Sequence, residues 1–213
     1  MLKKIYKIIF PNWLELLKKE SKKCESVLDM ACGYNSPIQY IDISYKVGVE
    51  KFTDYLKQSK QKGIHNKYIQ GDILSLEFTP NSYDLVLCSE VIEHLDKADG
   101  FKLLDNIEKI GRKKIIITTP NGFLKQDEYD NNLLQIHKSG WTIEEFKQRG
   151  YVVYGFGGFK FLKKEHGILK YRPYIFWRLI SDISQKLVYF FPELAFQIFA
   201  VKNIKTNESF SFI

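Results

Sequence analysis

One feature constrains the fold of this 213-residue chain more than any other: a short apolar run that ends at an acid and is followed by a glycine turn. Residues 26–35 read SVLDMACGYN, which predicts a buried strand carrying Asp29, a tight turn at Gly33 and a helix after Pro37. This arrangement places a carboxylate and bare backbone amides at the carboxyl end of a central strand, where open α/β sheets bind ligands. Because the acid precedes the glycine, the site favours a ligand with a cationic head over a pyrophosphate.

Further apolar runs follow the first and alternate with stretches of helical spacing, which is typical of βαβ units in a sheet buried on both faces. One helix is predicted over residues 101–110, where apolar residues step by three and Gly111 supplies the C-cap. Another begins at the capping box of Thr142 and stops at Gly150. The predicted strands are Val27–Met30, Val47–Val49, Tyr68–Ile69, Leu85–Cys88, Ile115–Thr119, Tyr151–Tyr154 and Ala195–Val201.

The composition is that of an ordinary globular domain, with 45% hydrophobic and 27% charged residues. No apolar run is long and unbroken enough for a membrane span or a signal peptide. Cys24, Cys32 and Cys88 form no CxxC pair, so a zinc-thiolate centre is excluded and reduced thiols in a cytoplasmic protein are expected. The net charge of +7 permits attraction to phosphates or anionic lipid, although a solvated lysine-rich surface is the simpler explanation.

One domain with two flanking segments is expected from the length and the patterning. Residues 1–23 form a basic amphipathic segment, residues 24–202 the domain, and residues 203–213 a tail. Within the N-terminal segment, Trp13, Leu14, Leu16 and Leu17 predict a short amphipathic helix. Packing of this helix on the domain is the simplest interpretation, with a membrane-surface or substrate-capping role as the alternative.

An aromatic-rich insert, residues 158–193, separates the last two predicted strands, and Arg172–Tyr189 within it predicts a helix. Such a long connection inside a compact domain usually has a function or its own secondary structure. Core packing or a dimer contact is one interpretation of the insert. A substrate cap or a membrane-surface patch is the other.

Acidic residues recur beside successive strands. Asp29 ends the first strand, Glu50 ends the second 21 residues later, Asp72 follows the third, and Asp84 opens the fourth. Glu50 suits an acceptor for two ribose hydroxyls, and Asp72 suits an acceptor for an adenine amino group. A single acid is usually a solvated loop residue, but four in this order predict a nucleoside-binding edge.

Together these motifs resemble those of the class I S-adenosylmethionine-dependent methyltransferases. The resemblance covers residues 24–158 and implies a Rossmann-like, doubly wound, seven-stranded sheet that is mostly parallel, with an antiparallel last strand after the insert. It also implies S-adenosylmethionine as the methyl donor. Asn35 stands where the pattern usually has a second glycine. The matching segments are VLDMACG at 27–33, Glu50, GDI at 71–73, YDLVLCSEVIEHL at 83–95, TTPNG at 118–122 and GWT at 140–142.

The resemblance also implies roles for single residues. Asp29 is expected to face the methionine ammonium group, directly or through water, and Glu50 the ribose. The expected catalytic residues are Glu90, His94 and His137. The expected cofactor-binding residues are Asp29, Ala31, Cys32, Gly33, Glu50, Asp72, Ile73, Ser89 and Glu90.

The spacing Glu90-x-x-Glu93-His94 with the distant His137 resembles the metal-binding set of small-RNA 2′-O-methyltransferases and the pattern of ubiquinone-pathway O-methyltransferases. Two carboxylates and two imidazoles can hold Mg²⁺ or a softer ion that acidifies a substrate hydroxyl. The same spacing is widespread in methyltransferases without a metal. A divalent metal is therefore left open, and no metal ligand is assigned.

The predicted function is methylation by S-adenosylmethionine of an oxygen atom on a small-molecule or lipid- or sugar-linked acceptor. The expected location is the cytoplasm, with peripheral membrane contact as an option. The alternatives are a metal-assisted RNA 2′-O-methyltransferase, with nucleic acid ranked below a small acceptor, and a non-catalytic S-adenosylmethionine-binding regulator. No pattern encodes the acceptor or the oligomeric state. His65 and His166 have no partner motif and are expected at the surface.

Overall fold

A computed structural model describes residues 12–204 of the chain, with the exception of the side chain of His166. Most of the predicted tail and the first part of the amphipathic segment therefore lie outside the described residues. The helix predicted around Trp13 is present as α1, Trp13–Ser21. Leu16 and Leu17 of α1 are buried against the sheet, which agrees with packing on the domain.

Each of the seven predicted strands is present, and all seven form one sheet in the order β3-β2-β1-β4-β5-β7-β6. The first five strands along the chain pair in parallel, whereas β7 runs antiparallel to both β5 and β6. The predicted doubly wound sheet with an antiparallel last strand is confirmed. The strands are β1 Ser26–Met30, β2 Tyr45–Glu50, β3 Lys67–Gln70, β4 Tyr83–Ser89, β5 Gly111–Pro120, β6 Val152–Phe159 and β7 Ala195–Asn203.

The helices cover both faces of the sheet and bury two apolar layers against it. The capping box of Thr142 opens its helix as predicted, and Gly150 follows the helix with a φ of 82°. Within residues 12–204, none of the helices is both long and apolar enough to span a bilayer. Besides α1, the helices are α2 Thr53–Lys62, α3 Lys97–Ile110, α4 Ile143–Gln148 and α5 Tyr174–Phe190.

The prediction of a helix after Pro37 is wrong. The chain makes only one 3₁₀ turn, Pro37–Tyr40, capped by the Ser36 hydroxyl, which accepts the amide of Ile38 at 3.2 Å. Residues 31–44 turn at the end of β1 and return to the start of β2 with this 3₁₀ turn in place of a full crossover helix. The face of the sheet that such a helix would cover is buried instead by α1 and by Ile38, Ile41 and Ile43.

Asp84 lies away from the other three acids, so the prediction that all four form one nucleoside-binding edge is wrong for Asp84. It opens β4, whereas Asp29 and Glu50 lie near the ends of β1 and β2, and parallel strands place these positions at opposite edges of the sheet. The Asp84 carboxylate is buried and accepts hydrogen bonds from the Glu25 amide, Arg112 and Lys113. Asp84 is therefore a structural residue.

Candidate active site

The carboxyl ends of β1, β2 and β4 open into a cleft of about 220 Å³, which we call the donor cleft. Six of the nine predicted cofactor-binding residues line this cleft, whereas Asp29, Cys32 and Ser89 do not. The hydroxyl of Ser89 lies 2.9 Å from that of Thr118, and both residues line a separate, smaller pocket. The lining residues from the predicted set are Ala31, Gly33, Glu50, Asp72, Ile73 and Glu90.

The turn after β1 has a left-handed backbone, with φ of 51° at Ala31 and 57° at Gly33. Its conformation is coupled to Glu50, whose Oε2 accepts the Gly33 amide at 2.9 Å and whose Oε1 accepts the Phe52 amide at 2.8 Å. Burial raises the pKa of Glu50, and these amide hydrogen bonds counteract part of that rise. Glu50 is thus held in one position between two turns at the wall of the cleft.

Asp72 reaches the donor cleft from the turn after β3. Its Oδ2 lies 2.8 Å from the Lys51 ammonium group, and its Oδ1 accepts the Leu74 amide at 2.9 Å. The hydrogen bond from Lys51 is the main reason that the pKa of Asp72 is lowered. The carboxylate is therefore ionised at neutral pH and fixed in orientation.

Asp29 is paired with a buried histidine, which corrects the expectation that His65 lies at the surface. The Oδ2 atom of Asp29 accepts the Ser36 hydroxyl at 2.5 Å and lies 2.8 Å from Nε2 of His65. The His65 ring passes over Gly48, where a Cβ atom would lie 3.0 Å from it, so the glycine makes room for the ring. Cys32 lies in the same cluster, and burial raises the pKa of its thiol. The side chain of His166 lies outside the described residues.

A second cleft of about 540 Å³, which we call the acceptor cleft, contains all three predicted catalytic residues, Glu90, His94 and His137. Glu90 follows β4 with a φ of 54° and, with His94, lines both this cleft and the donor cleft. Burial raises the pKa of Glu90 even though its side chain is open to the two clefts. Glu90 and His94 therefore lie where the two clefts meet, whereas His137 lines the acceptor cleft and not the donor cleft.

The two histidines of the acceptor cleft contact each other, with ring centroids 4.7 Å apart. Nδ1 of His94 lies 3.3 Å from the carbonyl of Ile136, and Nδ1 of His137 lies 2.6 Å from that of Leu124. Donation from Nδ1 to a carbonyl selects the tautomer whose lone pair is on Nε2. Burial, followed by the neighbouring His137, lowers the pKa of His94 to about 4, so this ring is neutral at physiological pH.

Glu93 completes a group that fits a divalent cation. Its Oε2 accepts the Thr119 hydroxyl at 3.0 Å, while its buried Oε1 has no hydrogen-bond partner among the described residues. One ligand atom each from Glu93, His94 and His137 lie within 4.8 Å of one another, whereas Glu90 is not part of this set. Burial raises the pKa of Glu93, as expected for a carboxyl that lacks a counter-ion.

The loop between β5 and α4 forms part of the donor cleft, which sequence patterns did not indicate. Asp130 of this loop accepts the hydroxyl of Tyr55 on α2 at 3.0 Å, so the loop is fastened across the cleft. The loop has no periodic apolar pattern, and between its two matched ends, residues 121–122 and 140–142, only His137 carried a recognisable signal. The residues of this loop that line the donor cleft are Asn132, Leu134, Gln135 and Lys138.

Comparison with known proteins shows what the domain resembles. Residues 28–116 match a family model described as a methyltransferase domain. Over these residues, which are less than half of the chain, the protein is similar to methyltransferase domains. An uncharacterized protein of Methanocaldococcus jannaschii is 31% identical to it over 147 residues, which are 68% of this chain. The aligned part makes up 64% of that protein, so the chain spans less than two thirds of the length of this curated relative.

Solved methyltransferase structures share the fold of the domain. The methyltransferase domain of bacterial CtHen1 has a TM-score of 0.55 at 18% identity, covering 90% of this chain and 97% of that one. An S-adenosylmethionine-dependent methyltransferase from Archaeoglobus fulgidus has a TM-score of 0.53 at 19% identity, covering 94% and 98%. At these identities, the similarity of this chain to both structures shows a shared fold.

Proposed function

We propose that this methyltransferase domain transfers the methyl group of S-adenosylmethionine to an oxygen atom of an acceptor held in the acceptor cleft. The observation that carries the proposal is the junction at Glu90 and His94, which line both clefts. A methyl donor in the first cleft and a hydroxyl group in the second would meet at these two side chains. A non-catalytic regulator needs only the first cleft.

In this proposal the donor cleft holds the cofactor by its polar ends. Glu50 accepts the ribose hydroxyls, Asp72 accepts the adenine amino group, and the backbone of Ala31–Gly33 approaches the methionine part closely. Asp29 contributes negative charge near the methionine ammonium group, directly or through a water molecule. Its pairing with Ser36 and His65 supports a fixed orientation of that carboxylate.

The chemistry is an in-line displacement at the sulfonium methyl group, an electrophile that is already activated. The protein therefore has to position the two reactants and exclude water. A hydroxyl acceptor must also lose its proton as the new bond forms. Glu90, with its raised pKa, and the neutral ring of His94 are the groups placed to accept that proton.

We infer that the acceptor is linked to a lipid or a sugar and that the enzyme acts in the cytoplasm at a membrane surface. The support is the outer face of α5, where Ile175 is 87%, Ile183 58% and Phe190 68% exposed. The insert 158–193 also has seven basic against three acidic residues, which suits anionic lipid. Apolar side chains flanked by cations are typical of helices that lie in the membrane interface.

Vesicle binding tests this surface role. Wild-type protein is expected to sediment with vesicles containing phosphatidylglycerol, and Ile183→Glu is expected to weaken this binding by about tenfold, since a charge on the apolar face opposes insertion. Tyr40→Glu, at a residue 55% exposed and away from α5, is the matched control and should bind like wild type. Equal binding of wild type and Ile183→Glu, or conversion of a dimer to a monomer by Ile183→Glu, would contradict the membrane assignment.

A second candidate, a metal-assisted RNA 2′-O-methyltransferase, is favoured by the convergence of Glu93, His94 and His137. These three side chains would hold the ion, and a bound Mg²⁺ or Mn²⁺ supplies Lewis acidity toward a substrate hydroxyl. The unpartnered Oε1 of Glu93 agrees with a ligand role. The net charge of +7 suits an RNA acceptor.

One experiment separates the two candidates. Methyl transfer from S-adenosylmethionine is measured with hydroxyl-bearing small molecules and with a short RNA, for wild type and for His94→Ala. The variant is expected to keep its affinity for S-adenosylhomocysteine and to lose turnover about 10²–10⁴-fold, because it lacks the proton acceptor. The exposed loop variant Leu133→Ala is the control.

The two candidates differ in the response to chelation. Loss of turnover in EDTA that Mg²⁺ or Mn²⁺ restores, with the RNA as acceptor, would support the second candidate. Turnover that EDTA does not change supports the first. Full activity of His94→Ala would contradict both roles given to His94, that of proton acceptor in the first candidate and that of metal ligand in the second.

A further inference from the structure

A lysine without a counter-ion lines the acceptor cleft. Lys163 follows the 3₁₀ turn Lys160–Leu162 at the start of the insert, and its side chain faces the same cleft as Glu90 and His94. Among residues 12–204, no carboxylate lies within the 4.0 Å of a salt bridge to its ammonium group. Asp182 acts on it only through longer-range attraction.

The ammonium group of Lys163 loses part of its hydration on burial, and its surroundings compensate for little of that loss. The side chain is half-buried, and Nζ lies 5.3 Å from the centre of the Phe196 ring. The burial lowers the pKa of Lys163. A cation over an aromatic face gains a modest stabilisation, whereas a desolvated cation without an anion costs free energy. A ligand that carries negative charge would remove that cost.

The charges in the acceptor cleft are divided between its elements. Glu90 and Glu93 enter from the segment after β4, whereas Lys163 enters from the insert before α5. An anionic group is therefore attracted to the side of the cleft that carries the lysine, away from the two carboxyl groups. Three amide side chains, which can both donate and accept hydrogen bonds, also line the cleft: Gln126, Gln135 and Gln197.

We propose that Lys163 binds an anionic oxygen group of the acceptor, a phosphate or a carboxylate, and so presents the acceptor hydroxyl toward Glu90 and His94. The inference rests on the proposed function, since it specifies the chemical class of the acceptor. Lys163 is a specificity-determining residue in this account and takes no part in proton transfer.

Backbone amide NMR spectra test the site with inorganic phosphate and with acetate as probes, in the presence and absence of S-adenosylhomocysteine. The amides of Gly157, Lys163 and Gly167, which border the cleft, are expected to shift in a saturable way. Lys163→Met should weaken the apparent affinity at least about tenfold, whereas Lys163→Arg should retain it. Lys164→Met, at the exposed neighbouring lysine, should behave like wild type.

The readouts separate failure of the site from failure of the proposed function. Absence of shifts at these amides, or equal shifts in wild type and Lys163→Met, would overturn the assignment of Lys163, whether or not S-adenosylhomocysteine binds. Absence of S-adenosylhomocysteine binding would instead reject the donor site, and the phosphate titration would still decide the anion site. The stronger of the two probes identifies the anionic group as phosphate or carboxylate.

Discussion

Glu50→Gln is expected to lower the affinity of the protein for S-adenosylhomocysteine by about 30-fold or more. The carboxylate is held by the amides of Gly33 and Phe52, and in our account it accepts both ribose hydroxyls. A hydrogen bond to a charged group contributes about 1.5–3 kcal/mol, so loss of one such bond already accounts for a 30-fold change. Isothermal titration calorimetry measures the effect.

Two controls keep the Glu50 result interpretable. Glu77→Gln, at an exposed acid, should bind S-adenosylhomocysteine like wild type. Because Gln can accept only one of the two amides, the melting temperature of Glu50→Gln must also be measured to confirm that the variant is folded. Unchanged affinity in a folded Glu50→Gln protein would contradict the placement of the ribose.

Asp84→Ala is expected to lower the free energy of unfolding by about 2–4 kcal/mol. The carboxylate is buried and joins the Glu25 amide, Arg112 and Lys113 at the start of β4. Its removal leaves the partly buried Glu25 amide without this acceptor. The cost stays below that of a fully buried pair, because the Arg112 and Lys113 side chains are 45% and 42% exposed and water can hydrate them.

Urea unfolding provides the measurement for Asp84. Asp54→Ala, at an acid whose side chain is 67% exposed and pairs with Lys57, is the control and should change stability by less than about 0.5 kcal/mol. A similarly small effect of Asp84→Ala would show that the three-partner arrangement does not stabilise the fold. S-adenosylhomocysteine binding by the folded Asp84→Ala protein should be retained, since this residue lies at the opposite edge of the sheet.

The sheet could be predicted from the sequence because its signal is local. A strand buried on both faces must be apolar throughout, so runs such as Ile115–Thr119 are visible without any tertiary information. The antiparallel direction of β7 came from the family resemblance. The prediction of a helix after Pro37 failed because α1, from an earlier part of the chain, helps to cover that face of the sheet, and only a 3₁₀ turn forms there.

The candidate site was predictable where its residues follow strands and unpredictable where distant residues meet. Asp29 and His65 are 36 positions apart, and no spacing rule pairs them. Gly48 in the middle of β2 was the available signal, since a strand glycine often marks a close approach by another group. Asn35, in place of the usual glycine, accepts hydrogen bonds from Gln39 and Lys62.

Lys163 was missed for a related reason. One lysine among many in a basic insert has no distinguishing pattern, and only the fold shows that it faces a cleft without a carboxylate partner among the described residues. The loop after β5 lines the donor cleft only because the fold brings it there, and the hydrogen bond from Tyr55 to Asp130 holds it in place.

Calorimetry with S-adenosylhomocysteine on the wild-type protein tests the central claim most directly. We predict one binding site per chain with a dissociation constant in the micromolar range, weakened by Glu50→Gln and by Asp29→Ala. Absence of heat at submillimolar ligand, together with no difference between wild type and Asp29→Ala, would contradict a methyl-donor site at the carboxyl edge of this sheet.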